Sequence, residues 1–148
     1  MTEGTVQIRK AEKHDAAGIE ALYGLLLGEQ SDIRQAGDML ESLQADDSNL
    51  ILVAETAGKI VGTLQVGLIK SIAFGCRSFA VFDFFIVDPS CRRQGIGTKL
   101  FEYAESLCKD RNVSCILLVS GKERKEAHEF YREMGYDVSV KGFRKDFD

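Results

Sequence analysis

Apolar positions in this chain change their spacing several times, and each change marks an element. Val6-Gln7-Ile8-Arg9 alternates, which predicts a short first strand. Ile19, Leu22, Tyr23, Leu26 and Leu27 then fall on one face of a helix predicted over Lys13–Leu27, with Gly28 closing it. A second, shorter helix is predicted over Ile33–Leu43, on Ile33, Ala36, Met39, Leu40 and Leu43. Asn49–Thr56 and Ile60–Ile69 read as two strands of a hairpin joined by Ala57-Gly58-Lys59.

After a loop around Gly75, Ser78–Val87 is the most apolar strand, with aromatic side chains on both faces. Ile96, Leu100, Tyr103, Ala104 and Leu107 predict a long amphipathic helix over Gly95–Arg111. Cys115–Val119 is short and wholly apolar, as expected of a strand covered on both faces. A strand, helix, strand succession makes a right-handed crossover, so these two strands should be parallel. A last helix is predicted over Lys125–Met134, and Tyr136–Phe147 should supply one or two final strands.

With 148 residues and neither a linker nor a repeat, residues 1–148 read as one domain of mixed α/β class. An apolar share of 45% and a charged share of 28% are those of a globular protein. Thr2–Arg9 is too mixed for a signal peptide, and nothing approaches a membrane span, so a cytoplasmic protein without a membrane partner is expected. A net charge of −4 argues against nucleic acid as partner and suits a cationic substrate. Cys76, Cys91, Cys108 and Cys115 are scattered and only two histidines occur, so reduced thiols and no metal are expected.

The chemistry concentrates between Phe82 and Glu105. An apolar strand runs into Asp88-Pro89-Ser90-Cys91 and then Arg92-Arg93-Gln94-Gly95-Ile96-Gly97, before the long helix. Glycines allow close approach of backbone N–H groups to an anion. The helix N-terminus adds unpaired donors, and two arginines add charge-assisted hydrogen bonds. This is a site for a diphosphate, or else only a basic turn that starts a helix. A GxxxxGK[ST] loop is absent, and GxGxxG directly after a strand is absent too, so neither a P-loop nor a Rossmann turn fits.

The string Val87–Gly97 resembles the acetyl-CoA site of the GNAT superfamily of N-acetyltransferases, [RQ]-x-x-G-x-[GA] after a strand ending Val-Asp-Pro. Ala127-His128-Glu129-Phe130-Tyr131-Arg132-Glu133-Met134-Gly135-Tyr136 resembles a second segment of that family. The resemblance implies a twisted mixed sheet of six or seven strands flanked by about four helices. The first four strands would be mainly antiparallel, and the fourth and fifth parallel and splayed. It implies acetyl-CoA as acetyl donor and direct transfer to a primary amine. Phe85, Ile86 and Val87 would offer backbone groups to the pantetheine arm, and Arg92, Arg93, Gln94, Gly95, Ile96, Gly97 and Thr98 would hold the pyrophosphate. Homodimers are frequent among such proteins.

Such a transfer needs a neutral amine, and an alkyl ammonium with a pKa near 10.4 must lose a proton first. Asp83 interrupts the apolar strand; it is either that base or a structural carboxylate bonded to backbone or arginine. Tyr131 matches the family's tyrosine that returns a proton to the CoA thiolate, although it also shares a core face with Ala127, Phe130 and Met134. Many members carry asparagine seven residues earlier; Arg124 stands here, to meet a CoA phosphate or be solvated. His128 would orient the helix start, and Cys91 has no catalytic role.

Residues 24–47 and 70–78 would line the acceptor side. The acidity of the first, with Glu29, Asp32, Asp38, Glu41, Asp46 and Asp47, suits a polyamine or aminoglycoside-like small molecule, or marks a solvated helix face. A protein N-terminus or lysine is the alternative acceptor, and a CoA-binding sensor without turnover is the alternative class.

Overall fold

The computed structural model describes residues 4–147. Two compact units emerge, the first reaching to Leu117 and the second beginning at Leu118.

In the first, β1 (Gln7–Lys10) leads through a single 3-10 turn into α1 (Ala16–Leu27) and α2 (Ile33–Leu43). The hairpin β2 (Asn49–Thr56) and β3 (Lys59–Ile69) follows, then one helical turn, α3 (Ala73–Cys76), and β4 (Phe79–Val87). The long helix α4 (Ile96–Asp110) leads to β5 (Ile116–Leu118). The five strands lie in the order β1-β2-β3-β4-β5. The pairs β1–β2, β2–β3 and β3–β4 are antiparallel, while β5 runs parallel to β4.

Most of the predicted helical faces pack inward, although Leu27, Ile33 and Met39 are exposed. Ile19 and Leu22 of α1 and Leu40 of α2 join Val53, Ile60 and Ile86 of the sheet in one buried cluster. On α4 the buried stripe is Ile96, Leu100, Phe101, Ala104 and Cys108, and Tyr103 is exposed. Phe101 sits one place beyond the predicted seam and takes its centre, meeting Phe82 edge-on at 5.5 Å and Phe85 at 4.8 Å. Gly62 on β3 lets α4 come close, because a Cβ there would stand 3.1 Å from Leu100 Cδ1 and 3.3 Å from Ile96 Cγ2.

Charge anchors the entry to α1. Arg9 grips Asp15 through two bonds, Nη1 to Oδ2 at 2.7 Å and Nη2 to Oδ1 at 2.9 Å, and also reaches Glu55 at 2.8 Å. Asp15 is 3% exposed. Burial pushes its carboxyl up, but the Arg9 bonds and the Glu12 N–H outweigh that and hold it below the ordinary range.

The second unit carries α5 (Lys125–Glu133) and the C-terminal segment. The predicted final strands over Tyr136–Phe147 are absent among the described residues, so the sheet has five strands rather than six or seven. Val138 and Val140 alternate as a strand would, yet both are exposed, as are Phe143 and Phe147. Alternation makes a strand only where a ladder partner buries one face. Here Asp137 Oδ1 instead takes the Ser139 N–H at 2.8 Å in a local turn. No helix among the described residues is long and apolar enough to cross a membrane.

Candidate active site

β4 is irregular where its chemistry lies. Gln65 on β3 faces Asp83, but Thr63 faces Ile86, so β4 holds one extra residue between those pairs. That is a β-bulge, and it turns the strand locally away from its neighbour. Phe84 adopts φ 50, a left-handed conformation that costs a bulky residue roughly 1–2 kcal/mol. Asp83 helps to hold it, since its Oδ1 accepts the Phe84 N–H at 2.7 Å. Asp83 is solvent-exposed and so escapes the desolvation cost expected of a covered strand. Its backbone bond is the structural contact anticipated as one alternative, and it uses one oxygen of two.

The bulge sends Phe84 and Phe85 to opposite faces. Phe84 meets Tyr23 of α1 at 5.8 Å, whereas Phe85 meets Phe101 of α4. Beyond it, Ile86 and Val87 stay paired to β3. Beside β5, Ala80 N–H near the start of β4 donates to the Cys115 carbonyl at 2.9 Å. Three residues of β5 set against nine of β4 cannot extend that ladder to Phe85, Ile86 and Val87.

Asp88 starts the loop. Its Oδ1 accepts the Ser90 N–H at 2.9 Å and Ser90 Oγ–H at 2.8 Å, and its carbonyl accepts the Cys91 N–H. These bonds, the Ser90 N–H foremost, hold its carboxyl below the ordinary value. Arg92, Arg93 and Gln94 follow on the surface, with Arg93 at φ 66. Gly95 at φ 75 starts α4, and a Cβ there would meet nothing within 4 Å. Glycine is thus demanded here by backbone conformation rather than by crowding.

The first turn of α4 leaves the Ile96, Gly97 and Thr98 N–H groups without intrahelical partners. No side chain caps this end and no acidic residue stands in its first turn. Open donors, the helix dipole and two adjacent arginines give the chemistry an anionic diphosphate requires. The predicted cofactor residues of the first unit, from Phe85 to Thr98, are therefore contiguous along one strand, loop and helix start.

In the second unit Tyr131 is 6% exposed on α5, its ring near Phe130 at 5.8 Å and Tyr136 at 6.3 Å. Arg124 is half-buried at the start of α5, its N–H on the Gly121 carbonyl at 3.0 Å. His128 Nε2 donates to the same carbonyl at 2.8 Å, which ties the turn to the helix.

The comparisons with known proteins agree with this geometry. The profile of the acetyltransferase (GNAT) family matches residues 19–136. The chain belongs to that family. It is 27% identical over 135 residues to the uncharacterized N-acetyltransferase YhfO of Bacillus subtilis, covering 89% of this chain and 90% of that one. The glucosamine-6-phosphate N-acetyltransferase of Arabidopsis thaliana superposes with a TM-score of 0.86 at 27% identity, over 97% of this chain and 99% of that one. A transcriptional regulator of Bacillus halodurans superposes with a TM-score of 0.87, also at 27% identity, over 97% and 100%.

This GNAT chain is thus an acetyltransferase, and its family draws the acetyl group from acetyl-CoA. Among the described residues, no cluster of three or more His, Cys, Asp or Glu could hold a metal ion. All four cysteines are free thiols; Cys108 is buried, which pushes its pKa up to about 11.

Two residues escaped the sequence reading. Glu20 is buried on α1 at 5% exposure, its Oε1 accepting the Ser31 N–H at 2.6 Å. Tyr23 appeared only as a core residue, yet its hydroxyl is buried without a hydrogen-bond partner. The available signal was a lone carboxylate in Ala16–Leu27, a helix with no other charged residue.

Proposed function

We propose that this GNAT protein transfers the acetyl group of acetyl-CoA directly to the primary amine of a small molecule. The observation that carries the reading is the uncapped start of α4, which follows a bulged strand and a doubly basic loop. In this reading the N–H groups of residues 93–98 and the two arginines take the pyrophosphate. The backbone of Phe85–Val87, beyond the reach of β5, takes the pantetheine amides.

Asp83, through the oxygen not committed to Phe84 N–H, accepts the proton that the acceptor ammonium must lose, directly or through water. The freed nitrogen forms its bond to the acetyl carbon as the carbon–sulfur bond breaks. Tyr131 supplies the proton that neutralises the departing sulfur, and its phenolate is reprotonated as the new amide nitrogen sheds its second proton. No protein nucleophile is needed, so Cys91 stays outside the reaction and transfer proceeds through a ternary complex. Arg124 adds charge toward a CoA phosphate.

A protein acceptor is the second reading, favoured by the 70–78 segment. There Ile72 is 92% and Phe74 is 73% exposed, surface that a peptide could cover. The test is a panel of polyamines, aminoglycosides, amino sugars and peptides with free N-termini or lysines, incubated with acetyl-CoA while free thiol is followed. Thiol release with small amines supports the first reading, and release with peptides alone supports the second. Tight CoA binding with no release across the panel would make the protein a sensor.

A further inference from the structure

Glu20 lies almost wholly inside the protein, yet among the described residues it pairs with no cation. Burying a carboxylate is costly unless hydrogen bonds or a cation compensate it. Ser31 N–H occupies Oε1 and leaves the second oxygen as an acceptor. One turn along the same face, the Tyr23 hydroxyl is buried with no partner of its own. An unsatisfied buried hydroxyl forfeits about 1–3 kcal/mol, which a ligand group would recover.

The Tyr23 ring rests against Phe84, the left-handed residue of the β4 bulge, and Phe84 follows Asp83 directly. Burial first, then the negative charges of Glu20 and Asp83, raise the phenol's pKa to about 12, so it stays protonated. A buried acid, an orphaned phenol oxygen and an open acid at a bulge all come from the first unit. Together they lack one component, a compact cation with several N–H donors.

We propose that Glu20, Tyr23 and Asp83 form the subsite that receives the acceptor as a primary ammonium, with no anionic group next to the nitrogen. The inference rests on the acetyl-transfer reading and narrows its substrate class. An ammonium offers three N–H donors, enough for the free Glu20 oxygen, the Tyr23 hydroxyl and Asp83. Glu20 and Tyr23 fix the nitrogen, and Asp83 is the group placed to take its proton. A carboxylate or phosphonate on the neighbouring carbon would meet two negative charges, so α-amino acids and short aminophosphonates are rejected.

The test labels the tyrosine ring carbons that bear the hydroxyls and follows them by NMR, first in the free protein and then with CoA added. Four tyrosines give four signals, and loss of one in Tyr23→Phe assigns Tyr23. Ethylamine, ethanol and glycine serve as the ammonium, the uncharged and the zwitterionic probe. The expected result is a saturable shift of the Tyr23 signal with ethylamine, and none with ethanol or glycine. Tyr23→Phe and Glu20→Gln should each weaken ethylamine about tenfold or more, with CoA affinity and folding kept. A Tyr23 signal indifferent to ethylamine, an equal response to glycine, or unchanged ethylamine affinity in both variants would overturn the subsite. Failure of CoA to bind the wild-type protein would strike the acetyl-transfer reading instead, since the ethylamine titration is also run without it.

Discussion

Replacing Gly95 by Ala separates a glycine that merely starts a helix from one that admits a phosphate. Gly95 sits at φ 75, ψ 13, where an alanine costs roughly 1–2 kcal/mol. No protein atom lies within 4 Å of the added methyl, so no clash adds to that strain. At about 2–4 °C per kcal/mol for a chain of this size, the melting temperature should fall by roughly 2–8 °C. Binding should suffer more. If the methyl holds the diphosphate away from one or two N–H donors, each charge-assisted bond lost removes about 1.5–3 kcal/mol. Acetyl-CoA affinity would then drop about 10- to 10⁴-fold, at 1.4 kcal/mol per decade. Gly58 in the β2–β3 turn is the control, with φ 76 and nothing within 4 Å. Gly58→Ala should melt earlier by a similar amount and bind acetyl-CoA unchanged. Calorimetric titration and thermal denaturation of both variants give the four numbers. Equal acetyl-CoA affinity in Gly95→Ala and wild type, with only the melting point lowered, would refute the reasoning.

Asp83→Asn keeps a side-chain oxygen for the Phe84 N–H, so the bulge and the melting temperature should hold while kcat falls roughly 10²-fold or more and the pH–rate profile changes; a fall in melting temperature with kcat intact would make Asp83 purely structural. Tyr131→Phe should lower kcat roughly 10²–10⁴-fold with acetyl-CoA affinity nearly intact, and unchanged turnover would reduce it to a core residue. Asp15→Asn tests the ion pair at α1. Because the folded carboxyl is held below 3.8, its stabilisation is complete above that pH and is lost as pH falls through the folded value. Wild type should therefore weaken in that acid range and Asp15→Asn should not share this component. At neutral pH the variant should lose less than the roughly 3–5 kcal/mol of a fully orphaned buried charge, since Arg9 keeps Glu55 at 2.8 Å. Cys76 and Cys115 are exposed and should react rapidly with a thiol reagent, whereas Cys108 should react only on unfolding.

Where periodicity and burial agree, the fold is legible in the residues. The predicted bounds of β2 and α2 coincide with Asn49–Thr56 and Ile33–Leu43, although on α2 only Leu40 and Leu43 of the predicted large apolar residues are buried and Ile33 and Met39 stay exposed. On α4 the seam moves toward Phe101 and Cys108, since ring packing against Phe82 and Phe85 outweighs the choice of Tyr103. Residues 136–147 mislead, because alternation records the capacity to form a strand and not the presence of a partner. The loop from Asp88 to Thr98 was readable as a turn into a helix, since Asp88-Pro89 and a glycine at positive φ before α4 leave their mark in the residue spacing. The bulge at Phe84 was not, as nothing in a run of phenylalanines announces a left-handed residue. Hence Asp83 stood out as an acid in an apolar strand, but its bond to the next N–H did not. Glu20 and Tyr23 stayed hidden because a helical face records burial and says nothing of whether buried polar atoms find partners.

Titration of the purified protein with acetyl-CoA by calorimetry bears most directly on the account. Saturable binding that CoA competes for, and that weakens as salt screens Arg92 and Arg93, is the expected outcome. A folded protein that gives no heat with either compound would contradict the claim that the uncapped start of α4 holds a diphosphate.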